Sequence, residues 1–169
     1  MNRARRSTTV LVGGLVLLGA SAAAAFDALT VKLVSIQDGD SFIARARDGE
    51  LLRIRIAGID APEKGQPYAD VARQHLHDLI DGQTLRIEPI KDDPYGRKVA
   101  NVYVDERDVG LAQIEAGLAW HFKRFAADQS AQQRRAYARA EQRARDERIG
   151  MWREANLVEP WRYRRSQGR

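Results

Sequence analysis

Two Asp-Gly pairs, Asp38-Gly39 and Asp48-Gly49, cut residues 29–59 into three short runs rich in apolar and β-branched side chains. Asp and Gly favour tight turns, so each pair marks a reversal between strands. Strands joined this tightly run antiparallel, because a parallel crossover needs a dozen residues or more. The expected strands are 29–36, 41–46 and 51–59. Along the third, Leu52, Ile54 and Ile56 point one way and Arg53 and Arg55 the other. Arg55 is therefore expected opposite the buried face.

Past this meander the pattern changes. Residues 60–67 hold two prolines and a glycine and read as a loop. Over 68–80, Ala69, Ala72, Leu76, Leu79 and Ile80 recur at helical spacing, and Gly82 closes the run. Strands are expected at 84–90 and 98–104, joined by the turn-rich KDDPYGR segment. Helices are expected at 110–116 and 130–147, followed by an apolar clamp at Ile149-Gly150-Met151-Trp152. Five strands with a helix between the third and fourth predict an α+β fold, mainly β: a five-stranded Greek-key barrel of OB type with about three helices. A seven-stranded sandwich and a βαβ array both fail this pattern.

The first residues carry a different message. MNRARR is basic, 10–20 is apolar and SAAAAF offers small residues for cleavage, the order of a secretory signal peptide. The apolar run is short of the roughly 20 residues a spanning helix needs. Residues 1–25 are therefore expected to be removed, after Ala22 or Ala25, leaving an exported protein, periplasmic or extracellular, with no stable membrane association. The folded domain is expected over 26–155, with a basic, disordered tail over 156–169. Nothing in the pattern marks an oligomer seam, so a monomer is expected. The chain has no cysteine, which excludes disulfides, thiolate metal sites and thiol nucleophiles. Charge is unevenly spread: residues 26–122 carry 12 Lys/Arg against 17 Asp/Glu, residues 123–169 carry 13 against 6.

Three segments concentrate unusual residues: Asp38-Gly39-Asp40-Ser41, Arg55-x4-Asp60-Ala61-Pro62-Glu63, and Asp93-Pro94-Tyr95-Gly96-Arg97. Alone, each reads as an ordinary turn or a surface ion pair. Together, in this order and with Gly117-Leu118-Ala119 and Gly150-x-Trp152, they resemble the thermonuclease (staphylococcal or micrococcal nuclease) family from about residue 31 to 152. The resemblance implies a calcium-dependent nuclease acting on DNA and RNA and leaving 3′-phosphate ends. It implies Asp40, Asp60 and the Ala61 backbone carbonyl as ligands of one Ca2+ ion, Ala61 standing where the family usually has threonine. It implies Glu63 as the general base, or the residue that positions the water, and Arg55 and Arg97 as phosphate-gripping arginines. Substrate-stacking tyrosines of the best-known member fall near Lys123 and Phe125, of which Phe125 keeps a ring able to stack. Tyr95 is expected either near the phosphate or packed in its turn.

Elementary chemistry is consistent with those roles. Calcium takes carboxylate, carbonyl and water oxygens together, and guanidinium forks suit phosphoryl oxygens. His75 and His77 diverge on a helix, so zinc is not expected, and His121 is expected at a barrel edge or on the surface. A non-catalytic OB-fold nucleic-acid-binding module and an exported calcium-binding structural protein are the alternatives, and neither makes use of two arginines beside the ion.

Overall fold

A computed structural model describes residues 27–168. The expected signal peptide lies outside the described residues. Five long strands form the body: β1 (Leu29–Ile36), β2 (Ser41–Ala46), β3 (Leu51–Ile56), β5 (Thr84–Asp92) and β6 (Lys98–Val104). Short pairs complete the β structure at β4 (Ile59–Asp60), β7 (Arg107–Asp108) and β8 (Trp120–His121). The long strands run in the order β3-β2-β1-β5-β6, and a parallel pairing of β3 with β6 closes the barrel. This is the expected α+β, OB-type architecture. Inside sit Phe42, Ile54, Ile56, Leu85, Ile87 and Val102, all fully buried.

Helix α1 (Ala69–Ile80) follows β4 and buries Ala72, Leu76 and Ile80, the i, i+4, i+8 stripe read from the sequence. Helix α2 (Val109–Glu115) starts at Asp108, whose carboxylate accepts the Leu111 N–H. Helix α3 (Ala131–Asp146) begins with a Ser130/Gln133 capping box, buries Tyr137, Ala140 and Ala144, and packs mainly on α2 and β8. Each cap satisfies backbone donors that a helix start leaves unpaired.

Three expectations need correction. The third strand does not run to Ile59: it ends at Ile56, and Gly58 turns the chain at φ 73° so that β4 leaves the barrel to pair with β8. His121, read as a barrel-edge or surface residue, is buried there, its Nε2 paired with Gln129 Oε1 at 2.9 Å. The tail expected to be disordered over 156–169 contains a fourth helix, α4 (Pro160–Ser166), so packing extends past residue 155. Its sequence has no aliphatic stripe, which is why periodicity misses it. Instead Pro160 starts the helix and is buried, Trp161 stacks on Phe122 at 5.5 Å, and Arg164 forms ion pairs described below. Aromatic contact and charge hold it, where aliphatic burial is small.

The apolar clamp closes the fold between α2 and α3. The Met151 N–H donates to Gly117 O at 2.9 Å, and Trp152 packs edge-on against Trp120. Gly117 has φ 65°, and a Cβ there would lie 2.2 Å from Ile149 O. Gly117→Ala therefore combines left-handed strain with a backbone collision, and should destabilise the fold by about 3 kcal/mol or more. A urea midpoint equal to that of the wild-type protein would show that the crossing yields.

Candidate functional site

The turn into β2, the end of β3 and the loop after it bring four acidic side chains into one cluster, two of them onto a single arginine. Register Ser41↔Arg55 sets Arg55 beside Asp40, and the Ile56 N–H to Asp40 O bond fixes that end of β2 against β3. Arg55 Nη1 lies 3.0 Å from Asp40 Oδ2 and Nη2 lies 2.9 Å from Asp60 Oδ1. One guanidinium thus spans both aspartates. Its side chain is 13% exposed, while those of Asp40 and Asp60 are 6% and 1%. Arg55 lies away from the barrel interior, as alternation along β3 requires, and the loop that follows covers it through Asp60.

Asp40 is held on all sides. Its Oδ1 accepts from Ser41 Oγ, its Oδ2 accepts the Ala61 N–H at 2.7 Å, and its own N–H donates to Asp38 Oδ1. Gly39 permits this approach: a Cβ there would lie 2.8 Å from the Ala61 Cβ. Ala61, at the expected carbonyl position, is buried next to Asp60. Glu63 follows on the loop, its N–H bonded to Gln66 Oε1.

A residue that sequence reasoning missed completes the cluster. Arg164 of α4 donates from Nη2 to Asp60 Oδ2 at 2.9 Å, and from Nη1 to Asp60 Oδ1 at 3.1 Å and to Glu63 Oε1 at 2.5 Å. Two signals pointed to it: a proline able to open a helix at 160, and a strongly basic chain end beside an acidic barrel.

Arg97 stands close by but apart. The β3–β6 closure puts Lys98 opposite Ile54, so Arg97 enters the barrel one residue earlier. Its Nε donates to Asp93 Oδ2 at 2.7 Å and its guanidinium lies 5.4 Å from the Tyr95 ring centre. Burial acts to raise the Asp93 carboxyl, but its bonds to Arg97 and to the Tyr95 N–H outweigh that and hold it below the usual range. Tyr95 is 72% exposed and unpacked, so the packed-turn alternative does not hold. Lys123 is bound to the buried carboxylate of Glu141 at 2.8 Å, and Phe125 is exposed, with Lys91 Nζ 4.8 Å from its ring centre. These last residues do not meet Arg55.

The charges around Arg55 are unbalanced. Asp38, Asp40, Asp60 and Glu63 bring four carboxylates, Arg55 and Arg164 two guanidiniums. Burial, then the neighbouring Asp40, push the Asp38 carboxyl up to about 7. Burial pushes Asp60 up to about 6 despite the Arg164 and Arg55 contacts. A carboxyl raised in the folded chain binds its proton more tightly there. The stabilisation this gives is complete below about pH 4 and is lost as pH rises through about 6 for Asp60 and about 7 for Asp38. In chelator-containing buffer the melting temperature should therefore climb as pH is lowered from about 8 to about 5. A flat or falling curve over that window would contradict the unbalanced cluster.

Among the described residues, no group of three or more His, Cys, Asp or Glu side chains is placed to hold a metal ion by itself. The donor set nonetheless suits a hard divalent ion: two buried carboxylates, an adjacent carbonyl, and an excess of two negative charges.

The sequence pattern described as Staphylococcal nuclease homologue matches residues 53–154. An uncharacterized endonuclease of Haemophilus influenzae is 30% identical over 82% of this chain and 74% of its own length. A micrococcal nuclease of Shigella flexneri is 31% identical over 80% of each chain. A staphylococcal-like nuclease of Arabidopsis thaliana is 33% identical over 68% of this chain, which spans about a third (34%) of that plant protein's length.

Proposed function

Since the chain belongs to the staphylococcal nuclease homologue family, we propose that it is an exported, calcium-dependent nuclease that hydrolyses phosphodiester bonds of DNA and RNA and leaves 3′-phosphate ends. The observation that carries this reading is the single guanidinium of Arg55 spanning Asp40 and Asp60, with Glu63 joined to the same cluster through Arg164.

Asp40, Asp60 and the Ala61 carbonyl would hold the calcium ion, which supplies Lewis-acid polarisation of the phosphate. The chain's own residues do the rest. Glu63 Oε1 is anchored by Arg164, while Oε2 has no protein donor among the described residues and is left to orient or deprotonate a water. The new bond forms from that water to phosphorus and the bond to the 5′ oxygen breaks, which leaves the phosphate on the 3′ side. Negative charge grows on the phosphoryl oxygens as the water adds. Arg55, rigid between two carboxylates, presents donors to that charge, and fixed donors stabilise it without reorganising. Arg97 acts from the neighbouring strand entry after exchanging Asp93 for phosphate. Asp93 keeps the backbone N–H groups of Tyr95 and Arg97 as partners when the guanidinium leaves it.

The expected N-terminus of the exported protein is Ala23 or Phe26, and the protein acts in the periplasm or outside the cell as a monomer. No helix of the described residues is long and apolar enough to cross a membrane.

Purified exported protein should degrade single- and double-stranded DNA and RNA with calcium and stop when a chelator is added. Fragments should resist polymerase extension until phosphatase removes their 3′ ends. Binding without cleavage would instead mark a non-catalytic module, and cleavage driven equally by magnesium would remove the calcium assignment.

A further inference from the structure

Helix α4 begins at Pro160, beyond the 53–154 segment that the family pattern covers, yet it reaches the centre of the candidate site. Between α4, β8 and the 3-10 segment Lys123–Asp128 lies a cavity of about 660 Å³. Arg164 lines this cavity and also touches Asp60 and Glu63, so the two spaces adjoin. Five basic residues line it against two acidic ones. Three of the five are engaged: Lys123 and Arg145 by Glu141, and Arg164 by the candidate site. Arg124 and Arg165 have no carboxylate partner among the described residues. One wall is aromatic, where Trp161 stacks on Phe122 with planes 23° apart and Trp120 meets Trp161 edge-on at 6.5 Å.

We propose that this cavity is a subsite for a nucleic-acid strand, with Trp161 as the platform for a base and Arg165 as the contact for a phosphate, next to the linkage being cleaved. The inference rests on the nuclease reading for what lies next door, and on the cavity's own chemistry for the ligand. Positively charged grooves combined with exposed ring faces are how proteins hold single strands without reading sequence. Carboxylate-bearing peptides would satisfy the arginines but make no use of the aromatic wall. Of the two residues matched in sequence to substrate stacking, Lys123 lines the cavity but is tied to Glu141, and Phe125 does not line it. The platform is instead supplied by the chain end. A strand bound here is long enough to occupy the catalytic centre and α4 together, whereas a dinucleotide fills only the centre.

The test uses the full exported protein and its Trp161→Ala, Trp161→Phe and Arg165→Ala variants. Affinity for a fluorescent single-stranded decanucleotide is read by anisotropy in chelator, at several salt concentrations. Trp161→Ala should weaken binding about tenfold, and Trp161→Phe, which keeps a stacking face, should restore most of it. Arg165→Ala should lower the slope of log affinity against log salt by about 0.7, the share of one phosphate contact on a single strand. With calcium, both alanine variants should raise KM for the decanucleotide, and Arg165→Ala, which leaves the aromatic contacts of α4 in place, should keep kcat and all dinucleotide parameters within about twofold of wild type. Unchanged affinity and salt slope in both variants would overturn the subsite. Faster cleavage by either would also overturn it, since α4 would then only cover the centre. A wild-type protein that binds the strand but cleaves nothing would remove the nuclease reading and leave the subsite standing.

Discussion

Glu63→Gln should lower kcat on single-stranded DNA by a factor of about 10² to 10⁴, the range over which a positioned general base contributes. The substitution keeps the shape and one acceptor oxygen, so Arg164 retains a partner. What it removes is the ability to accept a proton and to pull strongly on a water. KM should stay within about threefold, because the ground-state contacts to phosphate come from arginines. The fold should survive: Glu63 is on a loop with a side chain 27% exposed, so its ion pair with Arg164 contributes little to stability. Rates measured under single-turnover conditions, with calcium saturating, decide the matter. A kcat within threefold of wild type would mean that Glu63 only anchors α4.

Replacing Arg55 should have consequences of two kinds. Arg55→Ala leaves Asp40 and Asp60 buried without the cation they share. Stranding a buried charge typically costs about 3–5 kcal/mol, and the melting temperature in chelator should drop accordingly. Calcium should recover part of that loss, since an ion bound only by the folded chain stabilises it in proportion to its occupancy. Activity should not recover. Removing preorganised donors from a developing negative charge costs about 10² to 10³ in kcat, and calcium does not replace the lost geometry. Arg55→Lys separates the two effects: the ammonium keeps the charge but cannot span two carboxylates as a fork. Near-native melting with strongly reduced kcat is expected there. An Arg55→Ala protein that melts normally and cleaves normally would mean the pairing is incidental.

How far the sequence reached depends on what holds each element. The strands and α1 were legible because their side chains alternate or recur along one face, as Leu52, Ile54 and Ile56 do in β3 and Ala72, Leu76 and Ile80 in α1. The extent of α3 was legible too, expected over 130–147 and found at Ala131–Asp146. The break after Ile56 was not, because Gly58 sits within an apolar run that reads as continuous strand; its turn is imposed by β8 arriving from 60 residues away. Helix α4 escaped for a related reason. Its partners, Phe122, Asp60 and Glu63, are distant in the chain, and no periodicity in WRYRRS announces them. For the site, motif order was enough to single out Asp40, Arg55, Asp60 and Glu63, which the fold gathers. It could not indicate that Arg97 would be held by Asp93, a contact made within its own turn, nor that Lys123 would be bound to Glu141 of α3.

The central claim is that Arg55 and Glu63 serve one reacting phosphate, and a double-mutant cycle tests it most directly. With kcat measured for wild type, Arg55→Ala, Glu63→Gln and the double variant, groups that act as a unit lose most of their effect at the first substitution. The double variant should then be little slower than the worse of the two singles. Losses that multiply in full would contradict the account, because they would place the two side chains in independent roles.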